Sequence, residues 1–77
     1  MNRKQLEQRL KQENINEYYY SLEGGFPNEA FCINKGDNFW EVYYSERGRK
    51  SQVKTFEFEE DACDYFYNWL MKLLKKI

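Results

Sequence analysis

The chain contains no histidine, and its 77 residues include only two cysteines, Cys32 and Cys63, and one proline. Without imidazole it lacks the side chain most used as general acid, general base and metal ligand. Ser21, Ser45 and Ser51 have no evident base to activate them, so hydroxyl nucleophile chemistry is not expected. A structural zinc site draws four ligands mostly from Cys and His, which excludes one built within this chain. The cysteines are far apart and form no C-x-x-C motif; they read as small apolar core residues rather than as a bridge or a reactive thiol. Long apolar runs are also missing. Nothing approaches the ~20 residues that span a bilayer. The opening Met1-Asn2-Arg3-Lys4-Gln5-Leu6-Glu7 is polar and has no signal-peptide core, so a cytoplasmic address with reduced thiols is expected. Gly24-Gly25 is not followed by a G-x-x-x-x-G-K pattern, so no phosphate loop is expected. Paired carboxylates could hydrolyse glycosides only in a cleft, which a domain this small rarely builds. The expectation is one domain, 1–77, that is not an enzyme and carries no catalytic residue, cofactor or metal.

What the chain has in quantity is aromatic rings: seven Tyr, six Phe and two Trp. A domain of this length buries only about 60% of the surface its unfolded form exposes, and each large ring fills about 150–250 Å². There are more rings than so thin a core requires. The surplus suits a protein-binding face, where Tyr and Trp are enriched. The net charge of −1 gives no strong pull toward nucleic acid or an anionic membrane, and neither is expected as a partner.

Asn2 with Gln5 forms a capping-box pattern that opens a helix from Arg3 to about Glu13, with Leu6 and Leu10 inward and Ile15 closing the face. Tyr18–Leu22 is a candidate short strand, and Gly24–Asn28 breaks the chain. Three further strands follow, Glu29–Asn34, Phe39–Ser45 and Gln52–Phe58, separated by turns at Lys35–Asn38 and Glu46–Lys50. Trp40, Val42 and Tyr44 share one face of the middle strand, and Phe39, Glu41 and Tyr43 the other. Phe56 and Phe58 are paired on one face of the last strand. From Glu59 to Ile77 a second helix shows Cys63, Phe66, Leu70, Leu73 and Ile77 at alternating spacings of three and four, widened by Ala62, Trp69 and Leu74. The predicted class is α+β: an N-terminal helix, a three- to four-stranded antiparallel meander, and a C-terminal helix packed on the sheet. Trp40 is expected between sheet and last helix, near Phe66 and Leu70.

Two charged segments are candidate sites. From Glu57 to Asp64 there are five carboxylates and no base. Acids at a helix start suit its dipole, but that effect acts within the first turn and explains Asp64 poorly. Glu57, Glu60, Asp61 and Asp64 are therefore candidates for a partner-binding face that steers a basic protein, with Tyr43 and Tyr67 as anchors. The basic run Arg47, Arg49, Lys50 and Lys54 reads first as a solvated hairpin. Helix, meander, helix is also the layout of double-stranded RNA-binding domains, which grip phosphate with lysines at the start of the second helix. Here Glu59, Glu60 and Asp61 stand there and repel phosphate.

The segment Trp40-Glu41-Val42-Tyr43-Tyr44-Ser45-Glu46-Arg47-Gly48, followed by Phe56 and by Glu60-Asp61-Ala62-Cys63-Asp64-Tyr65-Phe66-Tyr67, resembles a family of small bacterial immunity proteins. These guard a cell against the toxin domain of a polymorphic toxin system. The resemblance runs from about Tyr20 to Leu70. It implies direct, stoichiometric binding to a cognate toxin in the cytoplasm, with no catalytic residues. By analogy alone, a basic nuclease is one toxin class that suits the acids. Glu46 and Arg47 have two readings: Arg47 pairs with a carboxylate to lock the hairpin, or both reach the partner. A monomer or weak homodimer is expected, the readings from other classes being a homo-oligomeric regulatory domain and an RNA-binding module.

Overall fold

The computed structural model describes residues 1–74. Helix α1 (Arg3–Gln12) begins at the capping box: the Gln5 amide donates to Asn2 Oδ1 at 2.8 Å and the Asn2 amide to Gln5 Oε1 at 2.9 Å. It ends in a Schellman motif. Asn14 takes a left-handed φ of 59°, and the Ile15 amide reaches back to the Leu10 carbonyl at 3.0 Å. That return carries Ile15 into the core beside Leu6 and Leu10.

A single 3₁₀ turn (Glu17–Tyr19) precedes the short strand β1 (Tyr20–Ser21). Strands β2 (Ala30–Lys35), β3 (Trp40–Glu46) and β4 (Arg49–Phe56) form the predicted antiparallel meander, in sheet order β1-β2-β3-β4. The sheet is mixed rather than wholly antiparallel, because β1 pairs parallel to β2. The reason is the connection. Residues 22–29 make no hairpin; they cross the sheet and re-enter in the direction β1 left.

Helix α2 (Glu59–Leu73) packs on the sheet face formed by Ile33, Trp40 and Val42, and α1 lies beside it. Its buried residues are Ala62, Cys63, Phe66, Leu70 and Met71. Leu73, expected on the stripe, is exposed, and Leu74 packs in its place. Ile77 lies outside the described residues. Trp40 sits in the core as expected, in the same cluster as Phe66 and Leu70, with the Arg3 guanidinium 5.0 Å from its ring centroid.

The second face of the sheet is covered too. Register pairs Cys32 with Tyr43 and Ala30 with Ser45, so these alternate residues point away from α2. The 22–29 connection lies over them. Tyr43 donates its hydroxyl to the Gly25 carbonyl at 2.6 Å, and Ser45 donates to the Pro27 carbonyl at 2.8 Å. Gly24 holds φ +72° and presses so close to Asn34 that a Cβ there would lie 2.6 Å from its side chain.

Candidate partner-binding surface

The acidic start of α2 serves two purposes. Helix α1 has no acid in its own first turn. Glu59 supplies one from α2: its carboxylate accepts the Arg3 amide at 2.8 Å, at the positive end of the α1 dipole. Asp64 lies 3.3 Å from the Met1 ammonium. The residue that the α2 dipole explained poorly thus has an intramolecular partner. Glu57, Glu60 and Asp61 are exposed and, among the described residues, make no ion pair.

Of the two tyrosines expected as anchors, Tyr43 is closed to a partner and Tyr67 is partly open. Tyr43 is fully buried under the 22–29 connection, with its hydroxyl bonded and its ring 4.7 Å from Lys50 Nζ. It offers a partner no surface, because it is the centre of the second-face packing. Burial pushes its phenol well above the usual range. Tyr67 is half-buried on the seam with α1. Its hydroxyl donates to the Glu13 carboxylate and Arg9 stacks on its ring; the bond to Glu13, then burial, raise its pKa. Glu46 and Arg47 sit at the tip of the β3–β4 hairpin, where Arg47 and Gly48 take positive φ in a two-residue turn. Arg47 forms no ion pair among the described residues, so the locking carboxylate is not found. The eight candidates therefore fall in four places: the α2 start, the α1–α2 seam, the buried second face and the hairpin tip.

A different set of residues does come together. Tyr65 and Trp69, on the outer side of α2, continue a run of rings that crosses from helix to sheet. Tyr65 lies 5.3 Å from Phe56 and 6.0 Å from Trp69; Trp69 meets Phe31 edge-on at 4.7 Å, and Phe31 lies 5.0 Å from Tyr44. All five rings are half-buried, packed on one side and open on the other. Tyr65, Asn68, Trp69 and Lys72 line a mostly apolar hollow of ≈ 220 Å³. Phe58 follows the same outer line. It holds the capping position of α2 without making a cap bond, and is 60% exposed. β4 stops at Phe56, so Phe58 does not pair with it on a strand face as expected. The positions 58, 61, 65, 68 and 72 repeat at spacings of three and four, parallel to the core stripe. That second stripe is the sequence signal for this surface, with an aromatic standing where a helix start favours Ser, Thr, Asp or Asn.

Among the described residues, no group of three or more His, Cys, Asp or Glu side chains converges in a way that could hold a metal. Both thiols are free and buried, and burial pushes each up to about 11, away from the reactive thiolate. A larger open cleft of ≈ 560 Å³, between α1 and β1, is lined by Arg3, Lys4, Glu7, Glu17, Tyr20 and Glu23; these carry both signs and favour no one ligand charge. No helix of the described residues is long and apolar enough to cross a membrane. Comparison with protein-family models, with curated proteins and with solved structures finds no match to this chain.

Proposed function

We propose that this chain is a non-catalytic binding protein that acts in the cytoplasm as an immunity protein, neutralising a cognate bacterial toxin domain by direct contact. The observation that supports the reading is the outer face of α2. There Tyr65 and Trp69 frame an apolar hollow with Asn68 and Lys72, and the exposed Asp61 and Phe58 lie one and two turns before Tyr65 on the same helix line. Rigid, half-exposed rings beside a hollow are the usual anchors of a tight interface, since they bury large areas at small entropic cost. A nanomolar complex needs about −12 kcal/mol, and a few such anchors supply most of it. Glu57, Glu60 and Asp61, which make no ion pair among the described residues, favour a basic partner surface and disfavour nucleic acid. The sequence resemblance adds the toxin as the kind of protein bound.

The test is co-expression with the toxin domain encoded beside this gene. The proposal expects rescued growth and a one-to-one complex that survives gel filtration. Growth arrest in cells that hold abundant folded protein, with no complex recovered, would refute it.

A further inference from the structure

We propose that residues 23–28 form a strap that opens as a unit while the rest of the chain stays folded, and that its opening gates the Cys32 thiol. Among the described residues, no hydrogen bond joins the backbone of this segment to another backbone group. Side chains hold it instead. Ser21 Oγ donates to the Gly24 carbonyl at 2.8 Å, Tyr43 to that of Gly25 at 2.6 Å and Ser45 to that of Pro27 at 2.8 Å. Lys50 Nζ lies 5.7 Å from the Phe26 ring centroid.

The segment also buries little of itself. Glu23, Gly25, Phe26 and Asn28 are exposed, and Pro27 is half-buried. Phe26, its largest side chain, is 60% exposed. Gly24 is buried but brings no side chain with it. Local opening costs least where few apolar contacts and few backbone bonds must break. The ends supply pivots. Gly24 and Gly25 hold φ of +72° and +83° at one end, and Glu29 holds φ 54° at the other. That left-handed conformation costs a non-glycine residue energy, which release of the strap recovers. The flanks stay fixed: Leu22 packs on the core and its carbonyl accepts Arg3 Nη1 at 2.9 Å, while Ala30 is paired in β2 opposite Ser45.

What the strap covers is Cys32, Tyr43 and Ser45, all fully buried and all on the sheet face away from α2. Cys32 stands outside the main core cluster. Cys63 belongs to that cluster, on the inner side of α2, and reaches water when the core itself parts. The two thiols therefore report two different openings of one chain. The strap uses none of Phe58, Tyr65 or Trp69, so it is independent of the toxin-binding reading and is measured on the protein alone.

The experiment is timed alkylation of the unmodified chain with iodoacetamide over a urea series below the unfolding transition, followed by digestion and mass spectrometry to score each cysteine separately. Without urea, Cys32 should label at least about tenfold faster than Cys63. Its rate should change little with urea, because opening the strap exposes little surface, while the Cys63 rate should climb along the slope of global unfolding. Ser45→Ala removes one fastening and should raise the Cys32 rate about fivefold without steepening its urea dependence. A Cys32 that labels no faster than Cys63, or whose rate rises with urea as steeply, overturns the inference. So does a Cys32 rate that Ser45→Ala leaves unchanged while circular dichroism shows the variant folded.

Discussion

Replacing Trp40 with Ala probes the packing on which the whole arrangement rests. The ring is 9% exposed, lies in the cluster with Val42, Phe66 and Leu70, and is opposite Phe56 on β4 and Lys35 on β2. Truncating a buried Trp costs about 3–5 kcal/mol through lost transfer energy and the cavity left behind. About 0.5–1 kcal/mol more comes from the Arg3 guanidinium, which loses the ring face it stacks on. A domain of this length has only about 4–12 kcal/mol in total, so Trp40→Ala removes a large part of it. The assay is urea unfolding followed by far-ultraviolet circular dichroism, because the substitution changes the fluorescence probe. The midpoint should fall steeply at unchanged slope, and Tm should drop by more than about 12 °C. Tyr18→Ala, at a residue 86% exposed, is the control and should stay within about 0.5 kcal/mol. A loss below about 1 kcal/mol for Trp40→Ala would refute the packing, since nothing else keeps a ring of that size out of water.

Three further outcomes follow from the second face and the thiols. The Glu41 carboxylate is nearly buried, accepting from Lys50 Nζ at 2.7 Å and from Asn34 Nδ2 at 3.3 Å. Lys50→Met should cost about 1–3 kcal/mol by leaving it half-partnered, and the double change Glu41→Gln with Lys50→Met should cost less than Lys50→Met alone; a double-mutant cycle in denaturant reads the difference. Gly24→Ala should destabilise by more than about 1 kcal/mol, measured as a thermal shift, because its φ of +72° is strained for Ala and Asn34 leaves no room for a Cβ. Cys32 and Cys63 titrate near 9 when unfolded and about 11 when folded, owing first to burial. The unfolded state therefore releases its protons first. Their contribution is complete below pH 9 and is lost as pH rises through 11, and a variant with both changed to Ala should lose less stability over that window.

Much of this architecture is legible in the residues because local signals and packing agree. Asn2 and Gln5 announce the first helix, the Cys63–Leu70 stripe the second, and the hairpin turns separate the meander into its strands. The site was harder to see. Tyr43 reads as an anchor because a period of two assigns it to the face away from α2; no local pattern says that Gly24–Pro27 folds back to cover that face. Asp64 and Glu59 look like surplus charge until α1 is placed beside α2, a contact between residues more than fifty positions apart. Phe58 is hidden for the opposite reason. It completes an alternating strand pattern, Phe56 then Phe58, and only the helix start at Glu59 turns it outward.

If the outer face of α2 holds the partner, as proposed, the affinity of the proposed toxin domain for Phe58→Ala and Tyr65→Ala should show it. Phe58 is exposed and makes no cap bond, so its removal should leave the urea midpoint nearly unchanged. Tyr65 frames the hollow beside Trp69. If these rings anchor the complex, Tyr65→Ala should weaken binding by at least about 2 kcal/mol, some thirtyfold, almost entirely through faster dissociation, and Phe58→Ala should weaken it by a smaller but measurable factor. Wild-type affinity in both variants, with both folded, would contradict the account and place the toxin on another face.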